Sequence, residues 1–185
     1  MIRVDIESIV MASAPMPSIV VLRERKGSGS SDAPSRALSI QTGAYEAAAI
    51  GNGTEFTKQT QRPLAHDVLL QAVRDLDAKV ERVEINRWDA PVFFADIVLG
   101  DKRSTGTSAD EAAQPYREIR IDARPSDALA VAARANAPIY VEDDVMNRAG
   151  SISYQSSPDE DAKWAAADEL QRFDEFIEQL SPDDF

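Results

Sequence analysis

The sequence contains no cysteine, a single histidine and no long apolar run. The lack of cysteine excludes disulfides, thiolate nucleophiles and Cys-ligated zinc, and His66 alone cannot complete a histidine-based zinc site. No run reaches the roughly 18 apolar residues that a membrane-spanning helix requires. Residues 1–7 alternate charged and apolar side chains and lack the apolar core of a signal peptide. We therefore expect a cytoplasmic protein that does not partner with a membrane.

Several motifs and an excess of positive charge are also missing. No Gly-x-Gly-x-x-Gly fingerprint, Walker loop or Gly-x-Ser-x-Gly elbow occurs, so nucleotide-cofactor chemistry and serine hydrolysis have no support. The net charge of −12 argues against a general phosphate-binding surface. However, residues 142–185 hold 13 acids and 3 bases, whereas the preceding part nets only −2. The near-neutral body therefore remains able to bind nucleic acid.

The 185 residues predict one main domain with alternating strands and helices. Period-two alternation and short apolar runs predict strands, and apolar residues at helical spacing predict helices. The predicted strands cover residues 2–9, 18–22, 37–40, 80–85, 92–99, 117–121 and 139–141, and the predicted helices cover 45–50, 63–76 and 126–135. Strand 92–99 is richly apolar, which favours a central place in the sheet. A polar, soft loop is expected over residues 101–115.

A shift of 81 residues aligns two segments of the chain. Leu38 and Ile40 then fall on Ile119 and Ile121. Glu46, Ala47, Ala49 and Ile50 fall on Asp127, Ala128, Ala130 and Val131. This pattern indicates duplication of one strand–helix unit and places Glu46 and Asp127 at equivalent helix starts.

The last part of the chain has the pattern of an amphipathic helix. Apolar residues recur at helical spacing between residues 159 and 180, opposite a row of acids. They are Trp164, Ala167, Leu170, Phe173, Ile177 and Leu180. This stripe can pack on its own domain, or it can form a homodimer with a second copy. We expect a domain over residues 1–150, followed by an acidic linker and this helix over residues 151–185.

Two segments of similar chemistry are the most informative motifs. Each places Arg-Pro just ahead of an acidic residue where a helical pattern opens: Arg62-Pro63 before Asp67, and Arg124-Pro125 before Asp127. Proline is tolerated in a first helical turn, and the free N–H groups there favour carboxylates or bound anions. Both segments are therefore candidate sites as well as helix starts.

In order and spacing, these motifs resemble the bifunctional nuclease domain family. The resemblance covers roughly residues 2–149, and Ala65 departs from it, since threonine is common at that place in the family. The segments that carry it are Glu46-Ala47-x-Ala49-Ile50, Arg62-Pro63-Leu64-x-His66-Asp67, Phe94-Ala95-Asp96-Ile97, Asp122-Ala123-Arg124-Pro125-Ser126-Asp127-Ala128-Leu129-Ala130 and Ala137-Pro138-Ile139-Tyr140-Val141.

The resemblance implies an α+β fold and a nuclease activity on DNA and RNA. The implied sheet is mixed, largely antiparallel and barrel-like, and is built from duplicated strand–helix units, with the C-terminal amphipathic helix added. The family supplies no catalytic constellation that we transfer residue by residue. Any active site must therefore be argued from this chain's own side chains.

Phosphodiester hydrolysis requires an activated water and compensation of charge on the phosphate. We hypothesise that Glu46, Asp122 and Asp127 hold Mg²⁺ or Mn²⁺ through oxygen ligands and, with His66, form the catalytic set. The substrate phosphates would then bind Arg62, Arg124 and Arg134.

Each of these residues also has a structural interpretation. In this interpretation the acids do no more than stabilise helix N-termini, which would apply to Glu46, Asp67 and Asp127. The arginines would pair with those carboxylates. His66 falls on the apolar face of its helix, which is typical of a partly buried histidine. In that case the protein would be a non-enzymatic interaction or regulatory module, in which the Arg-Pro-Ser-Asp segment is a structural clasp and the acidic tail binds a partner.

Overall fold

The computed structural model describes residues 1–12, 16–26, 35–54, 62–101 and 117–152, and these form a mixed sheet with four helices. In chain order the elements are β1 (Ile2–Val10), β2 (Ser18–Glu24), β3 (Arg36–Thr42), α1 (Ala44–Thr54), α2 (Ala65–Asp75), β4 (Ala78–Asp89), β5 (Val92–Asp101), β6 (Glu118–Ala123), α3 (Pro125–Ala135), β7 (Ile139–Val141), α4 (Asp143–Ala149) and β8 (Ser151–Ile152). None of the helices in these ranges is long and apolar enough to cross a membrane.

The sheet contains two similar units. In each, three consecutive strands pair antiparallel and lead directly into a helix: β1–β2–β3 with α1, and β4–β5–β6 with α3. The strand β7 joins the units, since it pairs antiparallel with β1 and parallel with β4. This arrangement agrees with the predicted duplication, and it confirms a mixed, largely antiparallel α+β fold.

The barrel-like closure that we expected is not shown. The strand order is β6-β5-β4-β7-β1-β2-β3-β8, so β6 and β8 are the two edges of an open sheet among the described residues. The predicted interior position of residues 92–99 is correct, because β5 pairs with β4 on one side and β6 on the other.

One apolar core lies between the sheet and the helices. The helix α3 packs against α1, α2, β4 and β5, and its central residues are fully buried. Ile50 of α1 and Leu129 of α3 have no exposed surface, and both belong to this core. The small residues of α1 and α3 allow a close approach: a Cβ on Gly53 would lie 3.0 Å from the Cβ of Ala133.

Some boundaries differ from the predictions. Helix α2 begins at Ala65 rather than near Pro63, because Leu64 is still extended, with ψ of 168°, and acts as the N-cap. The predicted elements also omit the short α4 and β8, and Asp143 and Asp144 belong to α4. Both acids are exposed, in the first turn of α4.

The chain divides into Met1–Ile152 and Ser153–Phe185. The second segment lies outside the described residues, as does nearly all of the predicted loop at 101–115. The amphipathic helix at 159–180, the homodimer through it, and the roles assigned to residues 1–150 and 151–185 therefore stay predictions. The cytoplasmic location stays a prediction as well.

A cluster of charged side chains joins β4 to β6, and we call Arg82 and Glu84 of β4 and Arg120 of β6 the Glu84 cluster. Glu84 is only 1% exposed. Arg82 Nε donates to Glu84 Oε1 at 2.5 Å, and Arg120 Nη1 donates to Glu84 Oε2 at 2.6 Å. Burial raises the pKa of the Glu84 carboxyl, but the two arginines outweigh burial and leave the pKa below its usual value. Glu84 is thus a satisfied, ionised carboxylate.

Candidate active site

The second Arg-Pro motif forms the start of α3. Arg124 is the N-cap residue, with extended φ and ψ of −64° and 144°, and Pro125 opens the first turn. Proline suits this position because its fixed φ matches the helix and its missing N–H has no partner to lose. The carbonyl of Arg124 accepts the N–H of Ala128 at 3.0 Å. Asp127 lies in the same turn, within reach of the Arg124 side chain.

The Arg124 guanidinium joins the starts of α1 and α3. Its Nε donates to Asp127 Oδ2 at 2.7 Å, and its Nη2 donates to Asp127 Oδ1 at 3.1 Å. Its Nη1 reaches Glu46 Oε1 at 3.4 Å. Glu46 and Asp127, which the 81-residue shift made equivalent, therefore meet at one arginine. The Arg124 side chain remains 66% exposed despite these bonds.

His66 from α2 completes this group, and we call Glu46, His66, Arg124 and Asp127 the Arg124 cluster. His66 Nε2 lies 3.4 Å from Asp127 Oδ1, and the imidazole is mostly buried, as its place on the apolar helix face predicted. The hydrogen bond from Arg124 lowers the pKa of the Asp127 carboxyl, burial opposes this, and His66 adds to the lowering. Asp127 is therefore an ionised acceptor that orients a histidine.

Arg134, predicted to bind substrate, holds helices together instead. It is 8% exposed, and its Nη1 donates to the carbonyls of Ala49 and Ala130 at 2.6 and 3.0 Å. Its Nε donates to Asp67 Oδ1 at 3.0 Å, and Asp67 Oδ2 in turn accepts the N–H of Leu64 at 2.8 Å. This geometry fits a structural role, because Arg134 fixes the start of α2, from which His66 extends.

Asp122 and Arg62 are not joined to the Arg124 cluster by side-chain bonds. Asp122 is exposed on β6, opposite Asp96 of β5, and its carboxylate accepts no hydrogen bond from the residues that the structure describes. Arg62 is exposed before α2 and forms no ion pair within the same described ranges. The structure thus joins four of the seven predicted site residues by side-chain bonds and leaves Asp122, Arg62 and Arg134 outside this bonded group.

The carboxylates do not form a ready metal centre. Across the described ranges, no group of three or more His, Asp or Glu side chains is arranged to hold a metal ion. Glu46 and Asp127 instead share a guanidinium, whose positive charge stands where a cation would have to bind. The described residues therefore do not fit the expected Mg²⁺ or Mn²⁺ site in this arrangement.

A groove of about 870 Å³ opens beside the cluster. Glu46, Asp122 and Arg124 line one part of it, and Trp88 and Phe93 line another. These aromatic residues were not predicted as part of a site, because Trp88 lies between the predicted strands 80–85 and 92–99 and Phe93 fits the apolar pattern of the second. Their signal was the concentration of three aromatic side chains within residues 88–94.

Comparisons with known proteins agree with the motifs. Residues 20–153 match the family model described as the bifunctional nuclease domain. The chain is also 32% identical, over 167 residues, to an uncharacterized protein of Mycobacterium tuberculosis from strain CDC 1551 / Oshkosh, and equally to one from strain ATCC 25618 / H37Rv. The aligned part covers 90% of this chain and 87% of each relative. The family match includes every residue of the Arg124 cluster.

Proposed function

Because the chain belongs to the bifunctional nuclease domain family, we propose that it hydrolyses phosphodiester bonds of DNA and RNA at the Arg124 cluster. One observation carries the location: the exposed Arg124 guanidinium lines the groove and is bound to Asp127, which also contacts His66. A cation, an oriented histidine and an open groove are the parts that such a hydrolysis requires.

In this proposal, Arg124 binds the phosphate. Its 3.4 Å contact with Glu46 is the longest of its three hydrogen bonds to carboxylates, so a substrate phosphate can replace Glu46 while Asp127 keeps the guanidinium in place. The N–H donors then face the oxygens on which negative charge grows as water attacks phosphorus. Low sequence specificity follows, because the phosphate is common to all nucleotides.

His66 moves the proton in the same step. Asp127 accepts from His66 Nε2, which leaves Nδ1 as the basic nitrogen. Water adds to phosphorus and gives its proton to Nδ1, the ester P–O bond breaks, and the leaving oxygen takes a proton from solvent. The ionised Asp127 stabilises the imidazolium that forms, as a carboxylate does in other acid–base pairs.

Cleavage by identically purified wild-type and Asp127→Asn proteins tests this proposal. We expect Asp127→Asn to slow hydrolysis of single-stranded RNA and of single- and double-stranded DNA on the order of 100-fold or more. Asp75→Asn, which alters an exposed acid on α2, is the matched control and should keep the wild-type rate. Equal cleavage by all three proteins would contradict the location of the site.

Parallel reactions with Mg²⁺, Mn²⁺ or EDTA test the metal dependence predicted from the sequence. Cleavage that persists in EDTA would agree with the His66–Arg124 chemistry. Cleavage that EDTA abolishes would show that a metal takes part and that the carboxylates must rearrange to hold it, since Arg124 now bridges them.

The second candidate is a non-enzymatic interaction or regulatory module. The observation that favours it is that Arg124 does link the first turns of α1 and α3, as a structural clasp would. No cleavage of any substrate by the wild-type protein, in any of the three metal conditions, would favour this function over hydrolysis.

A further inference from the structure

An aromatic wall lies in the groove beside the Arg124 cluster. Trp88 of β4 and Phe93 of β5 are cross-strand partners next to the β4–β5 turn. Their rings are stacked, with centroids 6.0 Å apart and planes inclined by 23°. Both side chains pack partly against the core, so the wall is held in place from behind while the rings line the groove.

Two exposed arginines lie in the same groove. The Arg148 guanidinium of α4 lies 5.3 Å from the centroid of the Trp88 ring, and Arg124 lines the groove as well. Arg148 is paired with Asp144, an exposed acid one helical turn away, at 3.0 Å. Exposed ion pairs of this kind are weak, so a phosphate can replace Asp144 at Arg148, as it can replace Glu46 at Arg124. The groove thus combines π-faces with exchangeable cations.

We propose that the aromatic wall is a base-binding subsite for single-stranded nucleic acid. One nucleobase packs against the Trp88–Phe93 pair, and the adjoining phosphates bind Arg148 and Arg124. This inference rests on the proposed nuclease function and specifies which part of the substrate the groove binds, namely an unpaired base with its adjoining phosphates.

The form of the groove favours a single strand over a duplex. Its volume of about 870 Å³ is that of a small-ligand pocket, which accommodates one nucleotide, so a duplex has to expose a base before that base can enter. The face of a base in a duplex is already covered by its neighbours, whereas an unpaired base offers its face to an aromatic side chain. The acids Glu46 and Asp122 in the groove disfavour a longer polyanion path, which keeps the subsite short.

Binding of a fluorescein-labelled oligothymidylate, measured by anisotropy in EDTA on ice, tests the subsite. A gel must show that the probe stays intact. Base–aromatic stacking is worth about 1–3 kcal/mol, so Trp88→Leu should weaken binding roughly 5- to 150-fold. Trp88→Phe keeps a ring and should stay near wild type. Tyr45→Leu removes an exposed aromatic side chain outside the groove lining and should have no effect.

An abasic probe of the same length turns the test into a double-mutant cycle, in which the base and the Trp88 side chain are removed separately and together. It should bind wild-type protein more weakly by about the factor that Trp88→Leu costs, and Trp88→Leu should not weaken it further. A fully duplex probe should bind no better than the abasic one. Equal binding of the normal and abasic probes, or of Trp88→Leu and Trp88→Phe, would overturn the subsite.

Tryptophan emission supplies a second readout that does not need the Leu variant to fold. The chain has two tryptophans, and Trp164→Phe leaves Trp88 alone. Saturating oligothymidylate should quench its emission, and unchanged emission would contradict the stacking. Stacking without cleavage would count against the nuclease function alone, while cleavage without stacking would count against the subsite alone.

Discussion

The Glu84 cluster and the Arg124 cluster use the same chemistry at different depths: the first centres on a buried carboxylate and the second on an exposed guanidinium. In the first, two arginines bind one buried carboxylate with hydrogen bonds of 2.5 and 2.6 Å, and both also pair with the more exposed Glu118 at 2.9 Å. In the second, one arginine that is 66% exposed serves two carboxylates, and one of its bonds is 3.4 Å long. The buried acid in the first is fully compensated, whereas the arginine in the second is open to solvent.

The difference shows how placement assigns a role to an ion pair. A buried carboxylate that loses its partners leaves an uncompensated charge in a medium of low dielectric. Removing a partner in the Glu84 cluster should therefore destabilise the fold. An exposed guanidinium loses little when it exchanges a carboxylate for a phosphate. We therefore expect substitutions in the first cluster to change stability and substitutions in the second to change activity.

The largest expected effect is that of Arg124→Ala on cleavage. Removing the donors that face the phosphate should slow hydrolysis on the order of 100- to 1000-fold. The melting temperature should change little, because the Arg124 side chain is mostly exposed and its ion pairs contribute little stability. Initial rates and thermal melts of the same preparation measure both quantities.

Arg120→Ala is the matched control from the other cluster. It should lower the melting temperature and leave the cleavage rate per folded molecule unchanged. If Arg124→Ala instead destabilised the protein and spared activity, Arg124 would be a structural residue like Arg120, and the comparison would fail.

The next effect is the loss of stability in Glu84→Gln. The amide keeps the size of the side chain but loses the charge that accepts from Arg82 and Arg120. Hydrogen bonds to charged groups are worth about 1.5–3 kcal/mol, so the free energy of unfolding should fall by about 2 kcal/mol in urea titrations. Glu81→Gln, which alters a more exposed acid paired with Lys79, should stay within about 0.5 kcal/mol of wild type.

The smallest effect concerns the pH dependence of stability. The pKa of Glu84 is lower in the folded protein than its usual value, so its ionised form stabilises the fold above the unfolded pKa of about 4.3. That contribution is lost as the pH falls from there through the folded pKa. Wild-type stability should therefore drop over this acid range more steeply than that of Glu84→Gln, as urea titrations at a series of pH values would show. Parallel curves would mean that folding does not lower the pKa of Glu84.

Local signals predicted most of the fold. The alternation of Ile2, Val4 and Ile6 corresponds to β1, and Pro125 begins α3 where an N-terminal proline is tolerated. The short β8 was missed because two residues carry no period, and it exists only through its pairing with β3. Closure of the sheet into a barrel depends on contacts between distant strands, which no local pattern reports.

The sequence indicated which residues belong to the candidate site, but it could not show which of them lie together in the fold. Pseudo-equivalent positions indicated that Glu46 and Asp127 belong together, and the structure joins them through Arg124. Arg134 and Arg124 look alike in the sequence, and only the packing of α1 against α3 separates a buried clasp from an exposed cation. The burial of Glu84 could not be predicted either, because alternation with Val83 and Ile85 would place it on a solvated face of β4.

The strand β7 has a consequence for synthesis on the ribosome. It is three residues long, and it pairs with β1, the first strand of the chain, while its other edge pairs with β4. The N-terminal unit emerges long before Ile139 is made, so during translation the β1 edge lacks the partner it has in the finished fold. An unpaired strand edge is a template for pairing with other chains. The nascent first unit is therefore vulnerable to association with its neighbours on a polysome until β7 has left the exit tunnel.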